Sequence, residues 1–123
     1  MKTKVERYYK SGITDCSVYM RPVLDVSDII SGKWRLPLIM SLSDRAYRFS
    51  DLKKHLDGIT PKMLSTILFD LETNGIITKI EVELKDKRHV QYQLTAYGKS
   101  IDQEIIVPMR KWGLKHRNFI KNL

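Results

Sequence analysis

Asp57-Gly58-Ile59-Thr60-Pro61-Lys62-Met63-Leu64-Ser65-Thr66-Ile67-Leu68-Phe69-Asp70-Leu71-Glu72-Thr73-Asn74-Gly75 is the stretch with the strongest local grammar. Asp57-Gly58 turns the chain, Thr60 has the side chain of an N-cap, and Pro61 suits the first helical position, where its missing N–H costs nothing. Leu64, Ile67, Leu68 and Leu71 then recur at three- and four-residue spacing, one apolar stripe of an amphipathic helix. Asn74-Gly75 stops it. The spacing predicts a helix over 61–74 whose outward face carries Lys62, Ser65, Thr66, Phe69 and Thr73.

After Gly75 the period changes from 3.6 to 2. Ile80, Val82 and Leu84 alternate with Lys79, Glu81 and Glu83, and Val90, Tyr92 and Leu94 alternate with His89, Gln91 and Gln93. Two amphipathic strands over 79–94 flanking Lys85-Asp86-Lys87-Arg88 are expected. Before Asp57, Ser50 is a candidate N-cap for a short helix from Asp51 to Leu56, with Phe49 outside it as a staple. Trp34 to Leu42 reads as a buried helix in which Pro37 must fall in the first turn. Pro22 to Ile30 reads as a first helix ended by Ser31-Gly32, and residues 1–21 as an arm. Thr95 caps a last helix over 96–121, with Pro108 expected to bend it. The fold class is α+β, mainly helical with one small β-hairpin, in a single domain over 22–123.

Composition narrows the function. The chain has 123 residues, 42% of them hydrophobic, and 22 Lys and Arg against 14 Asp and Glu, a formal charge of +8. That is enough apolar material for one core, with no run approaching the roughly 18 residues of a membrane span. No apolar segment follows the first charges, so a cytoplasmic, nucleoid-associated location is expected. Both signs divide evenly at Pro61, 11 basic and 7 acidic residues on each side, so the charge belongs to the folded body and points to a polyanion. The single Cys16 cannot form an internal disulfide, and Cys16, His55, His89 and His116 have no zinc spacing, so neither a metal nor a cofactor is expected. A glycine-rich phosphate loop, a nucleophile paired with histidine and an isolated carboxylate pair are all missing from the sequence, which argues against an enzyme.

Two short helices joined by a tight turn, followed by a ribbon with a cationic tip, make a helix-turn-helix with a wing. A helix fits the major groove of double-stranded DNA, and its outward polar side chains reach base edges while the ribbon meets phosphates or the minor groove. The candidate contacts are Thr60, Pro61, Lys62, Ser65, Thr66 and Phe69 on the helix, Arg48 before the preceding one, and Lys85, Lys87, Arg88 and His89 on the wing. Phe69 either touches a thymine methyl or sugar or packs beneath the wing. It also keeps open the rival reading, a winged-helix module that binds protein and not DNA.

Five ordered motifs carry a family resemblance: Ser31-Gly32-Lys33-Trp34, Tyr47-Arg48-Phe49-Ser50-Asp51-Leu52, Gly58-Ile59-Thr60-Pro61-Lys62-Met63-Leu64-Ser65, Leu71-Glu72-Thr73-Asn74-Gly75-Ile76-Ile77 and Tyr92-Gln93-Leu94-Thr95-Ala96-Tyr97-Gly98. Together they resemble HxlR-type winged-helix transcriptional regulators of the MarR-like superfamily, over about residues 16–113. The resemblance implies a bacterial homodimeric regulator that binds an operator through two recognition helices and two wings; repression is the expected role, although the sequence does not itself distinguish it from activation. It implies arginines on the recognition helix where Ile67 and Phe69 stand in this chain. It also makes Cys16 a candidate redox sensor; Asp15 opposes its thiolate and Arg21 favours it. The effector and operator are not legible.

The last helix carries Ile101, Ile105, Met109 and Trp112 at helical spacing, with Phe119 and Ile120 near the same line. That stripe is longer than so small a core needs, and the expectation is a dimer interface with helix one and the arm of a second subunit.

Overall fold

A computed structural model describes residues 17–123, arranged as six α-helices, one π-helical turn and one two-stranded sheet. In chain order these are α1 Ser17–Ile30, α2 Arg35–Asp44, α3 Phe49–His55, α4 Pro61–Thr73, β1 Ile77–Leu84, β2 Lys87–Leu94, α5 Ala96–Ile101, a π turn Asp102–Ile106 and α6 Val107–Lys121. The chain forms two compact units, one ending at Leu36 and one covering Pro37–Leu123.

Helix α1 starts at Ser17 and not at Pro22, which lies inside it. Proline removes one backbone hydrogen bond there, and the helix continues through it. Val18, Tyr19 and Val23 on α1 are exposed. Pro37 falls in the first turn of α2, as its chemistry requires, and Leu38, Ile39 and Leu42 are buried.

Helix α3 begins two residues before the expected start. Arg48, in extended conformation, occupies the cap position without a side-chain cap, and Ser50 sits in the first turn. The reason is tertiary: the N–H of Tyr47 donates to Tyr92 O at 3.0 Å and the N–H of Tyr92 donates to Tyr47 O at 2.7 Å, so the chain is held extended up to Arg48 and turns helical at once.

The deciding stretch folds as its grammar requires. Gly58 adopts φ +98° in the turn, and the Thr60 hydroxyl accepts the Met63 N–H at 3.1 Å. Leu64, Ile67, Leu68 and Leu71 are all buried. At the other end Gly75 adopts φ +76°, the N–H of Ile76 donates to Leu71 O at 2.9 Å and that of Gly75 to Glu72 O at 3.0 Å. This double bond pattern is a Schellman stop, and it throws Ile76 into the core. Ile67 belongs to that core, so of the two positions at which the resemblance implies arginine only Phe69 faces outward.

The hairpin turn has two residues and not four. Lys85 and Asp86 adopt φ 53° and 62°, a type I′ geometry whose twist suits the strands, and Lys87 and Arg88 belong to β2. The register pairs Leu84 with Lys87, Val82 with His89, Ile80 with Gln91 and Lys79 with Tyr92. Residues paired across the strands share a face, so the apolar set of β1 and the apolar set of β2 lie on opposite faces of the ribbon. Only the base of the sheet, Ile77 and Leu94, enters the core.

After β2, the Thr95 hydroxyl accepts the Gly98 N–H at 2.9 Å and caps α5. Pro108 is accommodated differently from a simple bend. The π turn precedes it, and the N–H of Val107 reaches back five residues to Asp102 O. Widening the turn relieves the clash that a proline ring makes with the preceding turn. It also shifts the phase: Ile101 and Ile106, five apart, are buried together, whereas Ile105 is half-buried. Beyond it α6 buries no residue.

Candidate nucleic-acid interface

The outward face of α4 is as the spacing requires: Lys62, Ser65, Thr66, Phe69 and Thr73 are all exposed, and so are Thr60 and Pro61 at its start. Two of the hydroxyls are already engaged. Thr66 donates to Lys62 O at 2.9 Å and Thr73 to Phe69 O at 2.8 Å, which leaves Thr66 an acceptor and a methyl for a partner. The Ser65 hydroxyl finds no hydrogen-bond partner among the described residues. Phe69 is 72% exposed and is not packed beneath the wing.

Between α4 and the ribbon lies an open cleft of about 300 Å³. Ser65, Leu68, Phe69 and Glu72 form its helix side, Lys79 and Tyr92 its strand side, and Phe49 contributes from α3. Lys79 and Tyr92 were not legible as site residues, because the alternation puts one on the solvated side of its strand and the other on an apolar stripe. The register is what pairs them, with Lys79 Nζ 5.9 Å from the centre of the Tyr92 ring. The two-residue turn is the signal that fixes it.

The wing tip divides the same way. Lys87 and His89 share a face with Ile80, Val82 and Leu84, while Arg88 shares the other with Glu81 and Glu83. Arg88 Nη1 lies 3.9 Å from Glu81 Oε2 with both groups exposed, a pair worth little in stability that nevertheless screens the guanidinium. Lys85 is in the turn itself. Arg48 is turned toward the wing: its Nε donates to Asp51 Oδ2 at 3.4 Å and its Nη1 to His89 Nδ1 at 3.0 Å.

On the dimer candidates, Ile101 is buried within its own chain and is therefore spent on the protomer's core. Ile105 is half-buried, whereas Met109 and Trp112 are exposed, together with Phe119 and Ile120. Cys16 lies outside the described residues. Among those residues no group of histidine, cysteine or carboxylate side chains could hold a metal, and no helix is long and apolar enough to cross a membrane.

Residues 29–120 match a family model described as HxlR-like helix-turn-helix. The chain is 36% identical over 102 residues to the HTH-type transcriptional regulator YdeP of Bacillus subtilis, an alignment covering 83% of this chain and 78% of that one. Its structure is similar to that of the redox regulator HypR in its reduced form, with TM-score 0.70 and 29% identity over 83% of this chain and 99% of that one. It is also similar to a transcriptional regulator of the MarR family from Enterococcus faecalis, with TM-score 0.71 and 28% identity over 90% of this chain and 96% of that one.

Proposed function

The chain belongs to the HxlR-like helix-turn-helix family and is a transcriptional regulator of that type, and from that premise we propose that it represses by binding an operator as a homodimer, α4 entering the major groove and the β1–β2 wing flanking it. The observation that carries the reading is the outer face of α4, a capped helix presenting Lys62, Ser65 and Thr66 with no other element of the Pro37–Leu123 unit covering them. The sequence-independent part of the affinity comes from the excess of cations, +8 per chain.

Titration of a duplex taken from beside the protein's own coding region, against a scrambled duplex at one salt concentration, tests it. Lys62 stands in the first turn of α4, where a recognition helix meets base edges. Lys62→Ala should cost about 1–3 kcal/mol on the operator and relax preference at one base pair. Ser65→Ala should cost less, and Thr66→Ala least, because that hydroxyl already donates to the backbone. Unchanged operator affinity in the triple variant would show that α4 stays out of the groove. It would favour the protein-binding alternative, in which exposed Phe69 is the anchor.

The two cations of the wing should separate. Counterion release lowers log affinity by about 0.9 per neutralised phosphate for each decade of salt. Lys87, with no carboxylate partner among the described residues, should account for one such unit, so Lys87→Ala flattens the slope. Arg88→Ala should change it less, since Glu81 and Glu83 share its face. Equal slopes for wild type and Lys87→Ala would remove that face of the wing from the interface.

A further inference from the structure

Arg48 connects three elements. It closes the extended segment that pairs with β2 at Tyr92, it stands at the position before the first turn of α3, and its side chain reaches His89 on β2. A guanidinium has five N–H donors and no lone pair, so the 3.0 Å contact between Arg48 Nη1 and His89 Nδ1 exists only with Nδ1 as acceptor. The imidazole is then the neutral tautomer with its proton on Nε2, the nitrogen across the ring. That N–H has no partner among the described residues. His89 shares its strand face with Lys87, two residues nearer the tip and so about 6.6 Å away along the strand.

We propose that Arg48 is a positioning residue that presets His89 as an Nε2–H donor to a DNA phosphate, next to the phosphate held by Lys87, and does not itself touch DNA. The inference rests on the DNA-binding reading above. Both ends of the clasp are fixed before DNA arrives. Asp51 Oδ2 accepts from Arg48 Nε at 3.4 Å and orients the guanidinium, and the paired bonds between Tyr47 and Tyr92 fix the two backbones. A solvated histidine divides its proton between two nitrogens and its ring among rotamers. Held by Arg48, it loses neither freedom on binding, and the cost of ordering a side chain at an interface is avoided.

If Arg48 acts only through His89, the two residues are one functional unit and their effects on DNA affinity do not add.

Imidazole ¹⁵N spectra of the free protein should show His89 protonated at Nε2 in wild type and a mixture of tautomers in Arg48→Ala. His89→Ala and Arg48→Ala should each weaken DNA binding about tenfold, and the double variant also about tenfold. His89→Asn guards against misfolding: its amide oxygen can accept from Arg48 while the far donor is lost, so it should melt like wild type and still bind about tenfold more weakly. A wild-type proton on Nδ1, an additive loss of about a hundredfold in the double variant, or wild-type affinity in His89→Asn would each overturn the proposal. A wild-type protein that binds neither operator nor random duplex would instead sink the DNA-binding reading, and this assignment with it.

Discussion

Replacing both Trp112 and Phe119 with glutamate should yield a folded chain that no longer dimerises and that binds its operator about 10²–10³-fold more weakly. On α6, Met109, Trp112, His116, Phe119 and Ile120 follow one another at spacings of three, four, three and one, a single stripe. Arg110, Lys111, Lys115, Arg117 and Lys121 take the other side. The Trp112 and His116 rings stack with centres 5.1 Å apart, and Trp112 and Phe119 remain 64% and 63% exposed in the single chain. An aromatic stripe of this kind suits an association surface, and under the proposed two-fold pairing it would be buried in both copies at once. Because these side chains contribute nothing to the protomer's core, a charge there costs the fold little. In an interface it would be buried without a partner, at about 3–5 kcal/mol per site.

The loss of DNA affinity follows from valency: two tethered half-site contacts exceed one by about 10²–10⁴-fold. Sedimentation velocity, a melting curve and an operator titration on the same variant check the three parts. A double variant that still sediments as a dimer at micromolar concentration would place the interface elsewhere. Ile101→Glu would not be a clean test, since that side chain is buried within its own chain and the substitution would unfold the protomer.

Gly98→Ala should destabilise the protein by about 3 kcal/mol, lowering the melting temperature by about 10 °C. Gly98 has an ordinary helical backbone, so its conformational freedom is not the reason. A methyl group on its Cα would collide with the carbonyl oxygen of Ile76, the main chain of the connection between α4 and β1. A flexible side chain could move aside, but this carbonyl is fixed by the Thr95 N–H, which donates to it at 3.0 Å. The Thr95 hydroxyl holds the same corner, 2.6 Å from Gly75 O and 3.2 Å from Ile76 O. One methyl therefore pushes α5 away from the helix stop that ends α4. Thermal melting by circular dichroism reads the outcome, and a change below about 1 kcal/mol would mean that α5 can slide at no cost. The motif Leu94-Thr95-Ala96-Tyr97-Gly98 thus has a mechanical content: a buried strand end, a cap, and a position where only hydrogen fits.

Local rules were sufficient where one residue decides one bond. Thr60, Pro61 and Gly75 set the two ends of α4 by capping, a fixed φ and a positive φ, each acting within a few residues of itself, and the stripe from Leu64 to Leu71 settled which face is buried. The outward residues Lys62, Ser65, Thr66 and Phe69 were therefore legible without a structure. Local rules failed where two candidates compete and a distant partner chooses. Ser50 is a good cap in isolation, but the pairing of Tyr47 with Tyr92 starts α3 at Phe49. Each strand alternates on its own, but only the two-residue turn Lys85-Asp86 decides which faces coincide, and it sets Lys87 and His89 apart from Arg88. Ile101 and Ile105 are spaced as helical neighbours, yet the π turn before Pro108 buries Ile106 in place of Ile105. The sequence by itself determined the order of elements, the core stripe and the outward face of α4, because those depend on interactions within one turn of helix. Tertiary structure decided the start of α3, the partner of Arg48 and the phase of the last helix, because each depends on hydrogen bonds between segments far apart in the chain or on steric relief that no periodicity encodes.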